Sequence, residues 1–113
     1  MKAIYLSTGQ TVARTLSVAE TFLTRGRGLL GRNGLPRGEG LLIRPCRGVH
    51  TFFMKFPIDV LFLDGANRVV ATVKNLKPHR ITRIIGRAKS VIELPPGTLD
   101  ASGTRAGNRI LIE

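Results

Sequence analysis

Four successive apolar residues, Val60-Leu61-Phe62-Leu63, constrain this chain more than any other feature. Side chains on a strand alternate between faces, so an unbroken apolar run needs cover on both sides of the sheet. Ile58 extends the run and Pro57 stops whatever precedes it. Asp64-Gly65-Ala66-Asn67 has the composition of a hairpin loop, with Arg68 to Val73 as the returning strand.

Further strands are expected at Lys2–Leu6, Thr11–Leu16, Leu41–Ile43, Thr51–Phe56, Ile81–Ile85, Lys89–Leu94 and Arg109–Ile112, separated by glycine- and proline-bearing turns. Ser17-Val18-Ala19-Glu20 reads as a capping box, in which the serine hydroxyl and Glu20 satisfy each other's end of a helix start. Behind it, Val18, Phe22 and Leu29, joined by Ala19, Leu23 and Leu30, form an apolar stripe at helical spacing. Gly31 and Asn33-Gly34 end that helix. The pattern predicts an α+β, mostly β fold: a small bent antiparallel sheet or barrel of seven to nine short strands with one packed helix. Residues 1–113 are expected to form one domain, long enough to bury roughly 65% of the unfolded surface.

Charge is the compositional outlier. Eighteen Lys and Arg oppose seven Asp and Glu, a net charge of +11, and thirteen of the cations are arginine. Such a field attracts anions of many kinds. The cations are scattered from Lys2 to Arg109, and five phenylalanines and one tyrosine offer few platforms for stacking bases. Zinc-finger, helix-turn-helix and ribonucleoprotein signatures are absent, which leaves nucleic acid a minority reading. One cysteine excludes an internal disulfide, and no histidine spacing supports a metal site. No phosphate-loop or nucleophile-elbow motif is present, and no cofactor is implied. No apolar run reaches the ~18 residues of a membrane span, and the N-terminus has no signal-peptide core, so a cytoplasmic location is expected.

Chemistry-bearing residues concentrate between Cys46 and Asp64, C-R-G-V-H-T-F-F-M-K-F-P-I-D-V-L-F-L-D. That block, with Arg27-Gly28-Leu29-Leu30-Gly31-Arg32 before it and Leu76-Lys77-Pro78-His79-Arg80 and Glu93-Leu94-Pro95-Pro96-Gly97-Thr98 after it, resembles the uncharacterised bacterial and archaeal domain-of-unknown-function family 192. The resemblance runs from about Thr15 to Ile112 and implies a mostly β domain with a packed helix, without an activity. Lys55 stands where the family usually has arginine, and lysine offers a point charge instead of a planar fork. Asn108 stands where it usually has aspartate, removing a carboxylate.

Three functional readings follow. The leading one is a small binding or accessory domain for an anionic ligand or acidic partner, with His50, Lys55, Asp59, Arg44 and Arg80 lining the site. In this reading Thr51–Phe56 pairs with Ile58–Leu63, His50 lies opposite Asp64, and Asp59 shares a cavity with His50. The alternative is a hydrolase in which His50 activates Cys46, assisted by Asp59; the thiolate and a nearby base are what nucleophilic catalysis needs. The second alternative is nonspecific nucleic-acid binding driven by charge.

Overall fold

A computed structural model describes residues 2–21, 25 and 28–113 of the chain. Seven strands, β1 (Lys2–Leu6), β2 (Thr11–Ala19), β3 (Glu39–Ile43), β4 (Ile58–Leu63), β5 (Val69–Leu76), β6 (Ser90–Leu94) and β7 (Ile110–Ile112), form one sheet in the order β5-β4-β6-β3-β2-β1-β7. A short helix, α1 (Thr98–Ser102), follows β6. The mostly β expectation is met, with one modification: β2 and β3 pair in parallel, so the sheet is mixed. It is bent but not a closed barrel. Its two outer strands approach at one end, where Arg68 and Arg109 form an isolated bridge and the Val69 N–H donates to the Asn108 carbonyl at 2.8 Å.

The apolar run lies where two-sided burial requires. Every residue of β4 is buried, and so is every residue of β6 beside it. Strand alternation sorts them into two cores. Leu61, Leu63, Ile92 and Leu94 face one side with Ile4, Leu16 and Leu99 of α1. Val60, Phe62 and Val91 face the other with Leu41, Met54 and Leu29. Asp64 closes the β4–β5 hairpin: its carboxylate accepts the Ala66 and Arg68 N–H groups, both at 2.9 Å. Those backbone bonds hold its carboxyl below the ordinary aspartate pKa.

Three expected elements differ. Ser17, Val18 and Ala19 do not open a helix; they extend β2 and pair with Leu41, Leu42 and Ile43. Long-range pairing along a buried strand outweighs a local cap worth only ~1 kcal/mol. Helical geometry occurs later, at Arg25, whose N–H donates to the Thr21 carbonyl at 2.9 Å. Phe22 and Leu23 of the expected stripe lie outside the described residues. Thr51–Phe56 is a succession of turns and bends instead of a strand, and β4 pairs with β5 and β6. Ile81–Ile85 contributes only the single bridge between Ile81 and His50.

Helix α1 owes its start to a distant residue. Gly97, at φ +89, provides no side-chain cap. The buried carboxylate of Asp59 on β4 does so instead: one oxygen accepts the Leu99 N–H and the other accepts the Asn75 N–H of β5, each at 2.9 Å. One side chain thus ties β4, β5 and α1 together. Replacing Asp59 by Ala leaves two backbone donors without an acceptor and is expected to lower the unfolding free energy by about 3 kcal/mol, with Asp59→Asn losing roughly half as much. Urea unfolding monitored by circular dichroism measures both; an unchanged midpoint for Asp59→Ala would show that the carboxylate does not hold the helix.

Candidate functional site

Two segments between the strands dock on each other and gather most of the exposed chemistry. Residues 47–55 and 77–87 run alongside through backbone bonds: Ile85 N–H to the Arg47 carbonyl, Thr82 N–H to Val49, Thr51 N–H to Arg80 and His79 N–H to Thr51, all at 2.8–2.9 Å. Thr51 is the fully buried centre. Its hydroxyl donates to the Lys77 carbonyl at 2.6 Å and accepts the Arg80 N–H at 2.9 Å. A serine or threonine is the smallest side chain able to bond both ways.

The paired segments hold two aromatic residues at the surface. The Phe52 N–H donates to Nδ1 of His50, and the Phe53 N–H donates to Nδ1 of His79, both at 3.3 Å. The His50 ring also stacks on Phe52 at 5.4 Å. Phe53 has φ +65 and His79 φ +64, left-handed values that are uncommon for bulky side chains and cost on the order of 1 kcal/mol each. Phe53 is nevertheless 81% exposed, its ring meeting that of His79 edge-on at 6.3 Å. Ile81 and Ile84, each 70% exposed, stand on the neighbouring segment. Beneath that segment a cavity of about 220 Å³ opens between Phe62, Ala71, Val73, Leu76 and Ile85.

The five residues assigned to an anion site sit in different surroundings. His50 and Arg80 are exposed on the docked segments, and Thr51 joins them. Lys55 is exposed and donates to Oδ1 of Asn33 at 3.3 Å. Arg44, at the end of β3, forms an ion pair with Glu20 at 2.6 Å. Asp59 is buried as the helix cap, and no hydrogen bond joins it to His50 among the described residues; β4 enters the sheet centre and the expected hairpin is not made. His50 accordingly does not lie opposite Asp64, which serves its own turn. Nor does a hydrogen bond join Cys46 and His50 among the described residues: the thiol donates to the Gly48 carbonyl at 3.1 Å. Burial, reinforced by the Glu93 charge, raises the thiol pKa above its ordinary value, which disfavours a thiolate.

A second cluster lies on the sheet face away from α1. Glu93 on β6 is only 3% exposed, flanked by Leu41 and Val60 on the adjoining strands. Its Oε1 and the Nε of Arg25 are both buried without a partner among the described residues. Burial pushes the Glu93 carboxyl up to about 7. Arg25 itself donates through a terminal nitrogen to the Pro45 carbonyl at 3.0 Å. Sequence reading placed Glu93 in a strand, at the start of a family segment, and as a distant third ligand for a metal site that no histidine spacing supports; a carboxylate among Val91, Ile92 and Leu94 was the signal that could have singled it out further.

Two outcomes follow. Thr51→Val keeps the shape but removes the hydroxyl, and faster hydrogen exchange at the His79 and Arg80 amides is expected, with about 1–2 kcal/mol lost from their protection. For Glu93, the folded state holds a proton up to about pH 7 while the unfolded carboxyl ionises near 4.5. The native chain therefore binds more protons across that window, and stability falls as pH rises through it, levelling above pH 7. Chemical unfolding at pH 4.5 and pH 8 is expected to show a loss of about 3 kcal/mol that Glu93→Gln abolishes. Equal pH dependence in both proteins would remove Glu93 as the cause.

Comparison with known proteins places this architecture. The UPF0127 protein of Pyrococcus horikoshii is 37% identical over 98 residues, covering 82% of this chain and 83% of that one. The UPF0127 protein of Thermococcus sibiricus is 32% identical over 106 residues, covering 90% and 68% respectively. A crystal structure of a protein of unknown function from Novosphingobium aromaticivorans superposes with a TM-score of 0.83 at 20% identity, over 97% of this chain and 82% of that chain, a likeness of fold. The model of domain-of-unknown-function family 192, described as "Uncharacterized ACR", matches residues 4–112, and the chain belongs to that family.

Proposed function

We propose that the chain is a binding domain for an acidic partner protein, engaged through the docked segments 47–55 and 77–87. One observation carries this reading: the segregation of charge. No Asp or Glu occurs from Gly40 to Ile58 or from Gly65 to Ile92. The docked segments expose Arg47, Lys55, Lys77, Arg80, Arg83 and Arg87. None of these six is in an ion pair among the described residues, whose only ion pairs are Arg44–Glu20 and Lys74–Asp100.

Charge of one sign raises association rates and selects partners of the other, while apolar residues within the patch supply contact area. Phe53, Ile81 and Ile84 fill that second role, and left-handed geometry at Phe53 is the strain expected where a side chain is held out for a purpose. The partner segment is therefore acidic with interspersed large apolar side chains. His50 and Arg80 belong to this surface, with Lys55 at its margin. Arg44 and Asp59 act as structural partners of Glu20 and α1.

A fluorescently labelled peptide of Glu and Leu residues, titrated in fluorescence anisotropy, tests the reading. Binding is expected at ~50 mM salt and to weaken at ~300 mM. Arg80→Glu with Arg83→Glu is expected to weaken it by about tenfold or more, equivalent to ~1.4 kcal/mol. Ile81→Ser with Ile84→Ser is expected to weaken it at both salt concentrations. Arg14→Glu with Arg37→Glu alters a separate depression of about 460 Å³ and is expected to change affinity by less than about twofold. Equal losses from both charge reversals, or RNA displacing the peptide at equal charge concentration, would replace a defined surface with a uniform field.

A further inference from the structure

We propose that Arg25 and Glu93 form a separate binding site for a small carboxylate, on the sheet face away from α1. The unpartnered buried atoms lead to this assignment. Arg25 Nε is a hydrogen-bond donor and Glu93 Oε1 a carboxyl oxygen, yet neither meets a partner among the described residues and no ion pair joins them. Buried polar groups in folded proteins are almost always bonded, so two orphans in one locality mark a position built for another molecule.

The space above the carboxyl is kept by glycine. Gly28 has φ +49, and a Cβ on it would stand 3.8 Å from Glu93 Oε1. No side chain can project from that position toward the carboxyl without backbone strain. Cys46 borders the same place: the charges of Glu93 and Arg25 both act on its thiol. Cys46 and Arg25 are half-buried, so the locality is reached from the surface even though the Glu93 side chain is covered.

The chemistry selects the ligand class. A guanidinium N–H and a protonated carboxyl O–H are two donors, and a carboxylate offers two oxygens in one plane to accept them. With Glu93 ionised, the same anion would face a like charge in a site of low polarity. Ligand and proton therefore bind together. Burial is the cause that raises the Glu93 carboxyl, and no charged group among the described residues contributes to that shift. Arg25 supplies the charge that favours a bound anion, and Cys46, its own pKa raised, stays a neutral thiol. A carboxylate ligand is thus bound best below the Glu93 pKa of about 7, and its affinity falls about tenfold for each pH unit above it.

Acetate is the probe. In the full chain, titration followed by amide NMR is expected to give saturable shifts at Gly28, Cys46 and Glu93 at pH 6, with affinity about tenfold weaker at pH 8. Glu93→Gln keeps a donor at every pH, so acetate is expected to bind it with less than about twofold change between pH 6 and pH 8. Arg25→Met is expected to lose saturable binding. Arg80→Glu with Arg83→Glu is expected to leave acetate affinity within about twofold, which separates this site from the docked-segment surface. Shifts reproduced by chloride at equal ionic strength, wild-type affinity independent of pH, or no saturation at pH 6 would each overturn the assignment. The wild-type pH series decides the matter even if a variant fails to fold.

Discussion

Burial of β4 and β6 on both faces is the constraint from which the rest of the molecule follows. Each strand carries apolar side chains to both sides, so neither face of the sheet centre can meet water. Two covers are needed. On one face, the far strands of the bent sheet and helix α1 supply Ile4, Leu16 and Leu99. On the other, Leu29, Met54 and flanking residues of the connecting segments supply it. The connections are therefore parts of the core, and the polar groups they carry are fixed by that packing.

Two carboxylates on neighbouring buried strands show how strand parity decides fate. Asp59 and Glu93 lie on β4 and β6, Asp59 opposite Leu94 and Glu93 opposite Val60, so they point to different faces. Asp59 meets two backbone donors at the start of α1 and becomes structural. Glu93 meets no donor among the described residues and keeps its proton to about pH 7. A similar degree of burial yields a helix cap in one case and a carboxyl without a donor among the described residues in the other.

Much of the sheet was legible in the sequence, because alternation and turn residues are local signals. The β4–β5 hairpin, the outer strands and the family resemblance all came from residues close together in the chain. The helix at Ser17–Glu20 was misplaced because pairing with Leu41–Ile43 lies more than twenty positions away and has no local signature. Thr51–Phe56 has strand composition, but Thr51 is held by Lys77 and Arg80, and the backbone turns instead. The candidate residues were harder still. His50 and Asp59 are nine positions apart, yet which face each occupies depends on where Pro57 delivers the chain into the sheet, a fact of topology. Arg25 and Glu93 both act on the Cys46 thiol, and Arg25 reaches it from the crossover that parallel pairing of β2 and β3 demands.

The pairing of β1 with β7 carries a kinetic consequence. Ile4 lies against Ile112, over a hundred positions away, whereas the β4–β5 hairpin joins Leu63 to Val69 across a few. Closing a long loop costs more entropy than closing a short one, so local hairpins assemble ahead of distant partners. During synthesis β1 must wait for more than a hundred further residues before its outer neighbour exists. Until then one edge of the sheet stands open, and a net charge of +11 opposes the approach of a second copy to it.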